Sequence, residues 1–208
     1  MSAPCIKGTA FDSVLQDVRG LLEDGRLTRG VLGVRLSAED LALLDAKIAP
    51  SSWYPIGCYA WLLEALCDAE AAGQPEAYLF RRGTIAAERL HAAGIYPQLD
   101  ASGEKLGLRV LPLVISIAGS IYNFMHWQVE IDPAGDAFQV SLDGATAYPN
   151  VARFAAEGFL ACTTERIIGR KVEVWSERPA PDRVIFHASA PRNASRAQRG
   201  DAERMRMH

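Results

Sequence analysis

Apolar residues recur at spacings of three and four along the first half of the chain, which is the pattern of amphipathic α-helices. The first predicted helix is defined by the apolar residues Phe11, Val14, Leu15, Val18 and Leu22. Ser37 and Asp40 form a capping-box-like start for a short second helix, which Pro50 ends. The apolar stripe of that second helix consists of Leu41, Leu44 and Ile48.

Proline and glycine mark the limits of the next two predicted helices. Pro55 suits the first turn of a third helix that stops at Gly73, and Pro75 opens a fourth helix that stops at Gly94. The apolar stripe of the fourth helix is formed by Leu79, Ala86, Leu90 and Ala93. Gly83 inside it costs about 1 kcal/mol relative to alanine, which indicates close approach of another backbone or a ligand. Tight packing is the favoured explanation.

A fifth helix is predicted from Glu104 to Phe124, and from Val110 onward its apolar residues occupy every side. A helix of this kind belongs in the centre of a fold. The uncharged stretch from Val110 to Met125 is shorter than the ~20 residues that a bilayer-spanning helix requires. The sequence therefore predicts a buried helix and no membrane span.

From Trp127 onward the apolar residues alternate with polar ones, which is typical of half-buried β-strands. A first hairpin is predicted from Trp127, Val129 and Ile131, followed by Phe138, Val140 and Leu142. A sixth helix, capped by Asn150, ends at Gly169. The second hairpin contains Val172 and Val174 in one strand and Val184, Phe186 and Ala188 in the other. A loop over residues 177–182 is predicted to join these last two strands.

The order of these elements predicts an α+β fold. Five N-terminal helices, a β-hairpin, a helix and a second β-hairpin follow one another without a βαβ alternation. The four strands are expected to form one antiparallel sheet with its apolar face packed on helices. The fifth and sixth helices are the candidates to cover that face.

The length of the chain indicates one domain, and the charge distribution distinguishes its C-terminal end from the rest. The chain has 208 residues and a net charge of -3, which gives no electrostatic footprint for nucleic acid. Residues 1–188 are predicted to form a single domain. Residues 189–208 carry five arginines and two acidic residues, a local charge of +3, and are predicted to be a solvated, disordered basic tail. Contact of this tail with an acidic partner or with nucleic acid is the alternative.

The cysteines indicate a reducing compartment. Cys5, Cys58, Cys67 and Cys162 contain no Cys-x-x-Cys pair, and no apolar run of a signal peptide begins the chain. We therefore expect the protein to be cytoplasmic.

Catalytic motifs do not emerge from the sequence. Glu88 and His91 have the one-turn spacing of a di-iron ligand pair, but no second Glu-x-x-His occurs, so a solvated helix face is favoured. His126 and His187 have no ligand spacing around them and are interpreted as structural. No nucleophile elbow, phosphate-binding loop or dinucleotide-binding turn is found. These observations predict a protein that is not an enzyme and that carries no metal or cofactor.

Aromatic residues form the most informative cluster. Trp53, Tyr54, Tyr59 and Trp61 lie within nine residues, and Tyr122 and Trp127 flank the helix-to-strand junction. Core packing explains such residues in the first instance. The alternative is an apolar ligand pocket with a few convergent polar groups. The candidate ligand-binding residues are Trp53, Tyr54, Tyr59, Arg82, Ile117, Tyr122, Asn123 and Trp127.

A family resemblance rests on short motifs spread over residues 6–188. Ser52-Trp53-Tyr54-Pro55, preceded by Gly8, Phe11, Leu15 and Val18-Arg19 and followed by Arg82-Gly83 and Ala86-Ala87-Glu88, resembles an uncharacterised bacterial family of about this length. The order of elements is also similar to the superfamily of 4-vinyl-reductase domains, haem-dependent NO sensors and small subunits of the TRAPP tethering complex. This resemblance implies an α/β ligand-binding fold, often dimeric, that serves in sensing or assembly.

Two departures limit what the resemblance implies. The 4-vinyl-reductase pattern has two cysteines in its last hairpin, and residues 176–186 contain none, so no zinc site of that type is expected. The haem NO sensors carry Tyr-x-Ser-x-Arg and a proximal histidine. Here Ser176 and Arg178 are present, but Val174 replaces the tyrosine, so haem is not expected.

The leading hypothesis is a non-enzymatic regulatory or sensor protein that binds a small hydrophobic ligand in an apolar cavity. It rests on the apolar fifth helix beside aromatic clusters. The competing hypothesis is an interaction or scaffold module that forms a homodimer or a larger assembly, with Trp53, Tyr54 and Trp61 as an exposed aromatic patch.

Overall fold

Helices dominate the N-terminal part of the computed structural model, which describes residues 3–94, 107–133, 135 and 137–189. Before the four-stranded sheet, the helices in these ranges are α1 (Gly8–Glu23), α2 (Arg29–Leu32), α3 (Ala38–Ala42), α4 (Ile56–Glu70), α5 (Pro75–Ala92) and α6 (Leu111–Gly119). The capping box predicted for α3 is confirmed: the Asp40 N–H donates to the Ser37 hydroxyl at 3.1 Å, and the Ser37 N–H donates to the Asp40 carboxylate at 3.3 Å. The short helix α2 was not predicted.

The fourth predicted helix is α5 in the structure. The apolar stripe predicted for it was wrong by one position over most of its length. The side chains that the helix buries are Tyr78, Leu79, Gly83, Ala87 and His91. Only Leu79 belongs to both sets. The spacing was predicted correctly, but alanines on two adjacent faces gave no contrast in polarity from which the buried face could be recognised.

The fifth predicted helix differs most from expectation. A 3-10 turn covers Gly107–Val110, α6 covers Leu111–Gly119, and the residues beyond α6 form turns before the sheet. Residues 104–106 lie outside the described residues. Although Leu111, Val114 and Ile115 are buried, Leu113 is 51% and Ile117 is 37% exposed. The prediction of a helix buried on every side was therefore wrong, because nothing in the described part of the chain covers this outer face.

The four-stranded antiparallel sheet confirms the predicted α+β class. Its strands are β3 (His126–Ile131), β4 (Ala137–Asp143), β5 (Glu173–Ala180) and β6 (Arg183–Ser189), and they lie side by side in the order β3-β4-β6-β5. The helix α7 (Asn150–Ile168) connects the two hairpins. Two further strands, β1 (Cys5–Lys7) and β2 (Trp53–Pro55), form a small antiparallel sheet that the sequence did not predict.

The apolar face of the larger sheet is buried against the helices. Phe138, Val140 and Leu142 on β4 alternate inward, as predicted, and pair with Ala188, Phe186 and Val184 on β6. These residues belong to one continuous core that also contains the buried faces of α1 and α4. The joining loop predicted at 177–182 is shorter, because β5 continues to Ala180.

The last described residue belongs to the sheet. β6 extends through Ser189, which pairs with Ala137 and Glu173, so the sheet includes the residue at which the predicted tail starts. Residues 190–208 lie outside the described residues, and the division into a domain and a tail stays a prediction. No helix within the described ranges combines the length and the apolar composition that are needed to cross a bilayer.

The helices α5 and α7 cross with their backbones in contact. A Cβ atom placed on Gly83 would lie 1.8 Å from the Ala155 carbonyl oxygen, and one placed on Gly158 would lie 1.9 Å from the Phe80 carbonyl oxygen. Both distances are far below any allowed contact. The explanation of Gly83 by tight packing is therefore confirmed, and Gly158 is its counterpart on α7.

We predict that Gly83→Ala destabilises the protein although alanine is the better helix former. Overpacking of a filled interface costs about 1–3 kcal/mol, so the free energy of unfolding in urea should fall by an amount in this range. Gly20→Ala is the matched control, since a Cβ there meets nothing within 4 Å. The control should raise stability by up to about 1 kcal/mol. Equal effects of the two substitutions would contradict the backbone contact.

Candidate functional site

Aromatic side chains fill the space between the helices and the inner face of the sheet. Tyr122 stacks on Trp127 with ring centroids 6.1 Å apart, and Trp127 stacks on Phe186 at 6.4 Å. Tyr148 and Phe124 meet the Tyr122 ring edge-on at 5.5 and 5.9 Å. A Cβ placed on Gly119 of α6 would lie 3.0 Å from the Trp127 indole. The rings are therefore closely packed from α6 to β6.

Three phenols are buried in or beside this cluster. Burial raises the pKa of Tyr59 to about 12, and it raises the pKa values of Tyr122 and Tyr148 further above the ordinary range. The Tyr148 hydroxyl donates to the Ala152 carbonyl at 3.3 Å. These phenols are neutral at physiological pH and serve as packing groups and hydrogen-bond partners.

Of the eight candidate ligand-binding residues, the structure brings only some together. Tyr122 and Trp127 belong to the aromatic cluster, and the buried Tyr59 on α4 faces the same part of the core. Ile117 lies on the exposed side of α6, and Arg82 lies on α5 in an ion pair with Asp17 of α1. Contact of any of the eight with a ligand stays a prediction.

Of the other three candidates, Asn123 and Tyr54 support the small β1–β2 sheet, and Trp53 is an exposed residue of β2 itself. The Asn123 side chain accepts a hydrogen bond from the Cys5 N–H at 2.7 Å and donates one to the Ala3 carbonyl at 3.0 Å. Tyr54 stacks on Phe11 at 4.8 Å, and its hydroxyl accepts a hydrogen bond from the Ala49 N–H at 2.9 Å. The Asn123 amide therefore holds the N-terminal strand β1 in place, and the Tyr54 hydroxyl holds the loop that precedes β2.

The proposed aromatic interaction patch is smaller than predicted. Trp53 and Trp61 are 43% and 37% exposed, whereas Tyr54 is half-buried by its stacking on Phe11. The Lys7 ammonium lies 4.9 Å from the Trp53 ring centroid, and the Arg35 guanidinium lies 4.5 Å from that of Trp61. Homodimerisation through these residues stays a prediction.

An open groove of about 450 Å³ lies between α4 and the segment at residues 26–36, and we call it the apolar groove. Its walls are mainly aliphatic and aromatic. They are formed by Arg26, Leu27, Thr28, Val31, Leu32, Val34, Arg35, Leu36, Trp61, Ala65, Asp68 and Ala69. Arg35 at its rim is paired with Glu64 at 3.1 Å. The sequence did not indicate this groove, because Leu27, Val31 and Val34 have the four- and three-residue spacing of an ordinary buried helix face.

A second open groove, of about 470 Å³, lies between α1 and α5, and we call it the arginine groove. It contains four arginines and three carboxylates. Its lining is Ser13, Gln16, Asp17, Gly20, Leu21, Asp24, Arg26, Glu70, Tyr78, Arg81, Arg82, Ile85, Ala86 and Arg89. Neither groove is lined by α6 or by the four-stranded sheet, which is where an enclosed cavity was expected.

The serine and arginine of the haem-sensor motif have structural roles here. The Ser176 hydroxyl on β5 donates to the carboxylate of Glu157 on α7, whose pKa is raised by burial. The Arg178 guanidinium donates to three backbone carbonyls, those of Ala145, Pro181 and Tyr148, at 3.1, 2.8 and 2.6 Å. Arg178 therefore fastens the segment before α7 to the last hairpin.

The described residues do not fit a haem. Haem iron takes an axial histidine, cysteine, methionine or tyrosine. The apolar groove is lined by none of these residue types, and the one tyrosine of the arginine groove, Tyr78, has its hydroxyl engaged by Glu70 at 2.7 Å and Arg82 at 3.2 Å. Aromatic rings occupy the interior beside α6, and α6 contains no histidine.

Metal-ligating residues are likewise scattered in the described parts of the chain. No group of three or more histidine, cysteine, aspartate or glutamate side chains there is close enough to hold a metal ion. Glu88 is exposed on α5, but His91 is buried, so the interpretation of both as a solvated face was wrong for His91.

Comparison with known proteins identifies the fold and nothing finer. No family model and no curated protein matches the sequence. An H-NOX protein from K. algicida, in its unliganded Fe(II) form, has a TM-score of 0.59 and 14% identity, covering 91% of this chain and 98% of that chain. An H-NOX protein from S. oneidensis in the Fe(II)NO ligation state has a TM-score of 0.51 and 13% identity, covering 89% and 99%.

The chain therefore has an H-NOX-like fold. Identities this low show the fold alone. At the level of the fold, these structural neighbours support the haem NO-sensor part of the sequence resemblance. They give no support to its 4-vinyl-reductase and tethering-complex parts.

We predict that the buried phenols limit stability at high pH. The pKa of Tyr59 is higher in the folded chain than its ordinary value of 10, so the folded state retains a proton that the unfolded chain loses between about pH 10 and pH 12. The contribution of Tyr59 to stability is full below pH 10. The free energy of unfolding should fall by roughly 2–3 kcal/mol across that window because of this one group.

Absorbance at 295 nm and circular dichroism, followed together in an alkaline titration, measure this effect. Most of the tyrosinate signal should appear only as the fold is lost, and Tyr59→Phe should weaken the pH dependence of the Tm. Ionisation of these phenols near pH 10 with the fold intact would show that they are not buried.

Proposed function

We propose that this protein is a non-enzymatic sensor or regulatory protein that binds a small hydrophobic molecule in the apolar groove. The proposal rests on the character of that groove, which is open to solvent and has walls of mostly apolar side chains. Ligand sites in proteins combine this kind of wall with a few polar groups that orient the ligand. Here Thr28 and Asp68 supply such groups.

The exposure of the wall residues supports ligand binding over simple packing. Val31 and Val34 are 60% and 81% exposed, and Trp61 is 37% exposed on the facing helix α4. A hydrophobic molecule seated between them would remove this surface from water, which yields about 25 cal/mol per Å² of apolar area.

The fold of the structural neighbours is consistent with a sensor. Two of them are H-NOX proteins whose iron is described as Fe(II), and one of these is in an NO-ligated state. The present chain combines an H-NOX-like fold with an interior filled by its own rings. We therefore propose that it senses its ligand at the surface groove and without haem.

Haem titration tests the absence of a cofactor site. The purified chain should give no stoichiometric, sharpened Soret band and no increase in Tm when haem is added, because the described residues offer no axial ligand beside an open slot. An H-NOX protein that binds haem serves as the positive control. A saturable one-to-one Soret change would overturn this part of the proposal.

Val31→Glu tests the apolar groove. We expect 1-octanol or 2-naphthol to raise the Tm of the natural protein, since a ligand at 100 times its Kd adds about 2.7 kcal/mol. A carboxylate at the mouth of the groove should weaken that binding at least tenfold, measured by calorimetry. Leu113→Glu is the matched control, because Leu113 is similarly exposed and lies on α6, outside the groove.

Two outcomes would contradict the proposal. One is the absence of any thermal shift with either probe at saturating concentration. The other is equal weakening by Val31→Glu and Leu113→Glu, which would place the binding elsewhere.

A further inference from the structure

The arginine groove contains positive charge that its own carboxylates do not neutralise. Arg82 pairs with Asp17 at 2.5 Å, and Arg26 pairs with Glu70 at 3.0 Å. Arg81 and Arg89 are exposed on α5, and no carboxylate of the described residues lies within 4 Å of either guanidinium. Two guanidinium groups therefore line the groove without an ion pair among the described residues, and Asp24 is the remaining carboxylate of the lining, so the groove keeps an excess of one positive charge.

Arg82 is a fixed part of the groove and not a mobile surface side chain. It is only 17% exposed, and it donates to the Asp17 carboxylate from α1 and to the Tyr78 hydroxyl on its own helix. A guanidinium has five N–H donors. Two of these N–H donors are used in the hydrogen bonds to Asp17 and Tyr78, so the remaining donors are available to a ligand in the groove.

Tyr78 holds two of the cations near each other. The Arg82 guanidinium lies 5.7 Å and the Arg81 guanidinium 5.9 Å from the centre of its ring. An oxyanion that contacts both guanidinium groups would be neutralised by them, since guanidinium groups match the geometry of carboxylate and phosphate oxygens.

Helix geometry adds Arg89 to the same face. Residues 82, 85, 86 and 89 of an α-helix share one side, and the seven-residue step from Arg82 to Arg89 spans roughly 10 Å along the axis. Ile85, which is 39% exposed, lies between the two arginines. On the opposite wall Gly20 contributes no side chain, and the space where a Cβ would point is open.

We propose that the arginine groove binds a small organic oxyanion, with its charged group on Arg81, Arg82 and Arg89 and its apolar part on Ile85. The arginine groove shares only Arg26 with the apolar groove, and this proposal does not depend on the function proposed for the apolar groove. A carboxylate and a phosphate monoester share the required chemistry, and the probes below distinguish them. The side chains of Ser13 and Gln16 on α1 complete the lining with neutral polar groups.

The test is calorimetric titration of the full chain with phenyl phosphate, benzoate and the neutral benzyl alcohol. At least one of the two anions should bind saturably, tenfold or more tightly than the alcohol, and its affinity should fall as salt is raised. The stronger anion identifies the natural ligand class. Binding of benzyl alcohol as tight as that of both anions, or no saturable binding of either anion, would overturn the proposal.

Variants locate the site. Arg89→Gln and Arg81→Gln should each reduce the affinity for the bound anion at least tenfold, and Gly20→Leu should do so by filling the groove without changing charge. Arg109→Gln is the matched control, since Arg109 is exposed outside the groove. Melting curves of all four variants show whether the fold is retained. Unchanged affinity in Arg89→Gln together with Gly20→Leu would exclude this groove.

Discussion

The backbone contact between α5 and α7 is the constraint on which the other features depend. Each glycine at the crossing is preceded by a residue that ties its helix to another element. Arg82, before Gly83, pairs with Asp17 on α1, and Glu157, before Gly158, accepts a hydrogen bond from Ser176 on β5. Because backbone atoms of the two helices touch, neither helix can slide along the other without a clash. The crossing therefore fixes the arginine groove relative to the sheet.

Aromatic side chains fill the space between α6 and the four-stranded sheet in the described part of this H-NOX-like fold. The stack of Tyr122, Trp127 and Phe186 extends from the end of α6 to the middle of the sheet. Such rings bury large areas and favour the stacked and edge-on arrangements seen here. The Trp127 indole N–H is buried without a hydrogen-bond partner among the described residues, which costs about 1–3 kcal/mol. Its ring contacts must offset that cost, so the cluster is held by packing.

Local sequence signals predicted most of the helices and strands, but they did not predict that the outer face of α6 is exposed. Period-two alternation located the strands of both hairpins, and the Ser37 to Asp40 spacing located α3, because these signals arise within a few residues. The outer face of α6 could not be predicted, since Leu113 and Ile117 are as apolar as their buried neighbours. The two-stranded sheet was missed because its strands are three residues long and far apart in sequence.

The candidate site was harder to predict for a related reason. Aromatic side chains carry the same sequence signal whether they fill a core or line a cavity, so the sequence left both possibilities open for Tyr122 and Trp127, and the structure adds that the two rings stack on each other. The grooves, in contrast, are formed by contacts between distant segments. Arg82 was recognised as a polar group near a ligand, but its pairing with Asp17 spans 65 positions of the chain. Only the fold reveals which arginines of α5 form no ion pair with a carboxylate of the described residues.

A single polar chain connects the two grooves. Arg26 lines both of them, and its partner Glu70 accepts a hydrogen bond from Tyr78, which in turn accepts one from Arg82. The hydrogen bond from Tyr78, together with Arg26, lowers the pKa of the Glu70 carboxyl, so the link is charged at physiological pH. These contacts connect Arg26, which lines both grooves, to Arg82 in the arginine groove through the Tyr78–Glu70 pair, so the walls of the two grooves are held by the same hydrogen bonds.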